Sequence, residues 1–162
     1  MTTEVVAVTA SGAFVVNGPE DSPEGERGIY IRWRDAEDNV ARLGQRIFKA
    51  TQAEDLKKVR GLQKLLLRSL SNTLVSVRQV AQRNKGRVTA GIDGEVAVTL
   101  SAVAKLATDV HQNSRTWRPL PVKRVYIPKA RDKTTLRPLG IPVLMDRCHQ
   151  ARVLHALEPE WL

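Results

Sequence analysis

Apolar positions along this chain recur mostly at helical spacing. Between Glu54 and Asn84, Val59, Leu62, Leu66, Leu70, Val77 and Val80 return every three to four residues, which predicts one long amphipathic helix with a single buried stripe. A shorter helix is predicted over about Arg34 to Ala50. Another fits about Thr99 to Asn113, with Val103, Leu106, Ala107 and Val110 inward. A last helix should begin near Leu144 and carry Val153, Leu154 and Leu157 on one side. Gly86, Gly91 and Gly94 interrupt the pattern and predict a loop over 85–95. The period changes at Val125, Tyr126 and Ile127, a β-prone run bounded by Pro121 and Pro128. A second strand over Thr135–Ile141 would pair with it as a hairpin across Ala130–Thr134. The predicted class is therefore α+β: mainly α with a small antiparallel β-hairpin.

Composition adds a leader and a partner. Residues 1–29 are rich in Gly, Pro, Ser and acids and offer little to bury, so they read as a flexible acidic leader. The remainder divides into a helical part with its glycine-containing loop, 30–95, and a helix–hairpin–helix part, 96–162. The formal net charge of +9 and pI near 10.2 call for a polyanion, a nucleic acid or an anionic membrane surface. No apolar run is long enough to span a bilayer, and Glu4 stands where a secretory signal would be basic. Cys148 is the only cysteine, which excludes a disulfide framework and makes a reducing cytoplasm the expected setting.

The charge is also placed. From Arg42 to Arg87 twelve basic residues face only Glu54 and Asp55, and from Arg115 to Arg147 the basic block is opposed by Asp132 and Asp146 alone. On the long predicted helix, Lys57, Arg60, Lys64 and Arg68 cluster opposite the apolar stripe. Such a stripe is either a solvated face or a phosphate-contacting one. The scarcity of acids for compensating i,i+4 pairs favours phosphate contact.

Chemistry of a stand-alone enzyme is not visible. His111, His149 and His155 have no metal-ligand spacing with Cys148, and there is neither a phosphate-binding glycine loop nor a nucleophile elbow. Asp93 and Asp146 stand alone in basic surroundings and read as turn or orienting residues.

The hairpin carries a family signature. Arg124-Val125-Tyr126-Ile127-Pro128-Lys129, then Arg137-Pro138-Leu139-Gly140-Ile141-Pro142, Asp146-Arg147 with Gln150, and Leu157-Glu158-Pro159 resemble the fingers of group II intron reverse transcriptases. Trp33, Leu43, Arg46-Ile47, Leu62-Gln63, Leu66 and Val77-Arg78 resemble the amino-terminal extension of that family. Asn84-Lys85-Gly86 with Thr89-Ala90-Gly91-Ile92-Asp93-Gly94 resembles the loop that precedes its first finger strand. The resemblance covers about residues 33 to 162. It implies the amino-terminal extension and fingers of a right-hand polymerase or maturase, truncated before the palm active site.

It also implies roles. Lys129 and Arg137, facing each other across the hairpin, would hold the triphosphate of the incoming nucleotide, the lysine as a point charge and the arginine as a planar fork. Read without the resemblance they are an exposed cross-strand pair. The 85–95 loop would lie over template RNA, with Lys85 and Arg87 adding charge and Gly91 exposing backbone N–H groups to phosphates. Its plainer reading is a helix-to-helix connector. The basic stripe would contact intron or template RNA, Arg124 would add a further RNA contact, and Tyr126 reads as packing. Gly44 departs from the family's usual Gln and costs about 1 kcal/mol in a helix, and the hairpin turn lacks the family's common Gly.

The chain ends at Glu160-Trp161-Leu162, where the family enters its next polymerase block. The catalytic aspartates and the Mg²⁺ they hold are therefore expected only in the complete polymerase, no cofactor is expected in these residues, and the chain is expected to be inactive alone. Expected partners are RNA, the dNTP of the complete enzyme, and a palm and thumb on the same or a separate polypeptide; a membrane is not among them. A stand-alone RNA-binding maturase-like protein, and a fragment of a CRISPR-linked or retron-type reverse transcriptase, are the competing readings.

Overall fold

The computed structural model describes residues 5–8, 14–17 and 29–162. Three short strands come first: β1 (Val5–Val8), β2 (Phe14–Asn17) and β3 (Ile29–Arg32). They form an antiparallel sheet in the order β2-β1-β3, with Val6 opposite Val16 on one side and Ile31 on the other. The sequence reading did not anticipate this sheet. Two of its strands fall inside the expected flexible leader, while the acidic segment 18–28 lies outside the described residues. Four-residue strands are too short for a periodicity to register, although their β-branched and aromatic residues suit a pleated surface.

The rest is mainly helical, as expected. Helix α1 (Trp33–Gln52) is followed by α2 (Leu56–Arg68) and α3 (Leu70–Arg78), and α3 runs into a π turn at Gln79–Arg83. The single long helix expected over 54–84 is thus two helices. Ser69 adopts extended backbone (φ −69°, ψ 132°), its N–H donates to the Leu66 carbonyl, and its Oγ accepts from Asn72 N. It closes α2 and caps α3 together, the dual competence that makes serine a boundary residue. Because of this break the apolar stripe serves two cores. Val59, Leu62 and Leu66 pack with Ile47, Ala50 and Ala156. Leu74, Val77 and Val80 pack with Trp33, Val103, Val110, Leu144 and Cys148.

Asn84 ends the π turn, and a 3₁₀ turn follows at Lys85–Val88. Helix α4 (Leu100–Gln112) is capped by Thr99, whose Oγ1 accepts from Ala102 N, and closes at Asn113. The inward residues expected for it are buried. Strands β4 (Lys123–Pro128) and β5 (Leu136–Ile141) form the antiparallel hairpin, and α5 (Leu144–Leu157) completes the fold. Residues on both sides of the expected 95/96 boundary share the larger core.

Polar groups pin α5 to the α2–α3 junction. Asn72, 0% exposed, donates from Nδ2 to the carbonyls of Leu66 (3.2 Å) and Arg152 (3.1 Å), and its Oδ1 lies 2.9 Å from His155 Nδ1. Buried Arg152 donates to the Leu67 carbonyl and lies 3.1 Å from His149 Nδ1. Gly44, placed mid-helix, faces the Pro159 ring, where an added Cβ would sit at 3.4 Å. No helix of the described residues is long and apolar enough to cross a membrane.

Candidate nucleic-acid interface

Helix α2 presents its charge by elimination. Asp55 caps it, accepting from Lys58 N at 3.0 Å, and burial of Val59, Leu62 and Leu66 turns the opposite side outward. Lys57, Arg60, Lys64 and Arg68 are all exposed, and none makes an ion pair among the described residues. The structure therefore brings these four cations onto one solvent-facing side.

The 85–95 loop is fastened rather than loose. Arg147, on the first turns of α5, donates from Nη1 to the Gly86 carbonyl (2.9 Å) and from Nη2 to the Thr89 carbonyl (2.5 Å). Lys85 and Arg87 lie in the 3₁₀ turn so held, and both are exposed. Gly91 requires correction: expected to expose its N–H to phosphates, it is buried against α5. A Cβ there would lie 2.6 Å from Val143 Cα and 2.7 Å from Val143 N, so the glycine is needed for close backbone packing. Gly94 takes φ +74° in open space, and Asp93 accepts from Glu95 N, which makes Asp93-Gly94 the turn.

The hairpin register corrects a second expectation. Arg137 stands opposite Ile127, and Lys129, whose N–H donates to the Thr135 carbonyl, is offset from it by one cross-strand step. The two cations are diagonal neighbours on one face instead of directly facing. Strand alternation puts Arg124 and Tyr126 on the other face, opposite Gly140 and Pro138. Tyr126, read as packing, is 61% exposed. Asp132 closes the glycine-free turn by accepting from Thr134 N (3.0 Å), Thr134 Oγ1 and Thr135 Oγ1. These hydroxyl bonds hold its carboxyl at about 2.

Asp146 behaves as the orienting residue expected of it. Burial pushes its pKa up, Leu120 N donates to Oδ2 at 3.1 Å, and Trp117 adds a hydrogen bond. Trp117 in turn stacks on His149 at 4.4 Å. The segment leading into β4 is thereby tied to α5.

The pairing of two arginines on one carboxylate was not legible in the sequence. Arg78 and Arg83 both reach Glu37 Oε1, at 3.3 and 2.6 Å, and Arg78 lies over the Trp33 ring at 4.9 Å. The pairing joins α1 to the end of α3 and the π turn, across a sequence distance that no local pattern spans.

Residues 29–110, half of the chain, match the N-terminal domain of reverse transcriptase as a family. The chain belongs to this family. The matched span runs from β3 through most of α4 and so contains the α2 cations, the Arg78–Glu37–Arg83 cluster and the fastened loop. Among similar curated proteins, Protein YkfC of Escherichia coli (strain K12) is 40% identical over 91 residues, 54% of this chain and 23% of that protein. Maturase-like protein 1 of Euglena gracilis is 24% identical over 127 residues, 78% of this chain and 27% of that protein. The matches thus cover about a quarter of the length of these relatives. The Mg²⁺ that the resemblance implies for a complete polymerase finds no ligand set here: no three His, Cys, Asp or Glu side chains come together among the described residues.

Proposed function

We propose that this reverse transcriptase N-terminal region, with the hairpin that follows it, grips the RNA of a group II intron-type polymerase or maturase. The observation that carries the reading is the α2 face, where Lys57, Arg60, Lys64 and Arg68 are exposed without an acid partner among the described residues. Four unneutralised cations on one helix side fit a phosphate backbone, and each phosphate contact releases bound counterions. Lys85 and Arg87 form a second RNA-contacting group, held in place by the Arg147 fork. Arg124, with exposed Tyr126 beside it, adds a hairpin contact. Lys129 and Arg137, diagonal on the other hairpin face, are spaced to engage different phosphates of one incoming nucleotide. Val153, Leu154 and Leu157, 45%, 52% and 44% exposed on α5, form the surface on which the palm of the complete polymerase packs.

The test is RNA binding against salt. Changing all four α2 cations to glutamine should make the slope of log affinity against log salt shallower by about 3. A quadruple variant with unchanged affinity and slope would refute the α2 face as the RNA-binding surface.

A further inference from the structure

Three arginines from separate turns converge on one cavity. Arg78 at the end of α3, Arg83 at the end of the π turn and Arg87 in the 3₁₀ turn line a space of about 380 Å³, walled on the apolar side by Val88, Ala97 and Val98. That volume lies at the small end of the range of small-molecule sites, about 300–1,000 Å³. One carboxylate, Glu37, is shared by Arg78 and Arg83 through a single oxygen. Arg87 adds a third guanidinium to the cavity lining.

The parts differ in what they offer. Arg78 is held by Glu37 and by the face of Trp33, so it forms a fixed wall. The Arg83 side chain remains 54% exposed while paired, and Arg87 is exposed, so both keep donors available to a ligand. Val88 and Val98, 62% and 70% exposed, set apolar surface beside them. Bare inorganic phosphate has no use for that surface. A double helix shows mainly phosphates and sugar edges, with its base faces stacked inside, whereas an unpaired nucleotide offers a phosphate and a free base face together.

We propose that this cavity receives one unpaired nucleotide of single-stranded RNA, its phosphate on Arg83 and Arg87 and its base against Val88, Ala97 and Val98. The inference rests on RNA being the partner and adds a preference for unpaired strand. The test compares anisotropy titrations of the 162-residue chain with a short fluorescent single strand and with the blunt duplex of the same length. Arg83→Gln/Arg87→Gln should lower the ratio of single-strand to duplex affinity about tenfold and make the single-strand salt slope shallower by about 1.4. Val98→Glu, an exposed change that puts an anion at the apolar wall, should lower the same ratio. Lys57→Gln/Arg60→Gln should weaken both forms alike. If wild type binds RNA but the ratio is unmoved in both cavity variants, the cavity inference is overturned while RNA binding stands. If wild type binds neither form at low salt, RNA as the partner fails and the inference with it.

Discussion

Replacing Asn72 with alanine tests whether the α2–α3 break is held by α5 or merely permitted by Ser69. The carboxamide is fully buried and makes three well-formed contacts, to the carbonyls of Leu66 and Arg152 and to His155 Nδ1. Each is worth about 1 kcal/mol net. The partners are not all orphaned by the change: Leu66 O keeps the Ser69 N–H at 3.1 Å, and His155 Nδ1 keeps Ser76 Oγ at 3.2 Å. The expected loss is therefore the bonds themselves, about 3 kcal/mol, without the larger penalty of a stranded polar group. For a chain of this size that corresponds to a melting temperature lower by about 6–12 °C. Urea unfolding is the assay, with a lower midpoint expected at unchanged m-value. Ser71→Ala, which removes one part-buried contact from Asn39 at 3.3 Å, should cost under about 1 kcal/mol. Equal, small losses in the two variants would refute the buried staple.

Three further outcomes are expected. Gly91→Ala drives a Cβ to 2.6 Å from Val143 Cα and should destabilise by about 2 kcal/mol while opening the loop. Arg147→Gln should open the loop with less global loss, so limited trypsin should cut faster at Lys85 and Arg87 in both variants; unchanged cutting would refute the fastening. Burial lowers the pKa of His111 and His155 from 6.5, and burial reinforced by Arg152 brings His149 to about 4. Their stabilisation is complete above about pH 6.5 and is lost as pH falls, for His149 toward about 4, because the unfolded chain then binds more protons. Asp146, raised by burial, works in the opposite direction at the acid end. The urea midpoint should fall through that window and fall less in His149→Gln, and a midpoint constant down to pH 4 would contradict this. Cys148, 0% exposed with its thiol pushed up to about 12, should resist iodoacetamide until the chain unfolds. Rapid alkylation under native conditions would contradict its burial.

Local chemistry alone determined α1, α4, α5 and the hairpin. Val103, Leu106, Ala107 and Val110 face one way at any tertiary arrangement, the Thr99 side chain caps the start of α4, and Asn113 closes its end through a backbone N–H to the Asp109 carbonyl. The strand run at Val125–Ile127 needed only its period and its prolines. Sequence likewise put Lys57, Arg60, Lys64 and Arg68 on one side of α2, since helical spacing fixes which residues share a face. Tertiary structure decided what local pattern underdetermines. The 54–84 stripe reads as continuous because the break at Ser69 keeps an apolar residue, Leu70, in phase, and only packing against α5 and α4 reveals that its halves serve different cores. The one-step offset of Lys129 from Arg137 depends on how the Asp132 turn closes, which residue types did not specify. Gly91 looked like a phosphate-facing glycine until Val143 proved to lie against it. Arg78 and Arg83 meet on Glu37, and Arg78 lies over Trp33, only because α1 supplies both partners from more than forty residues away. Such pairings are set by chain topology and side-chain reach, which a single sequence does not display.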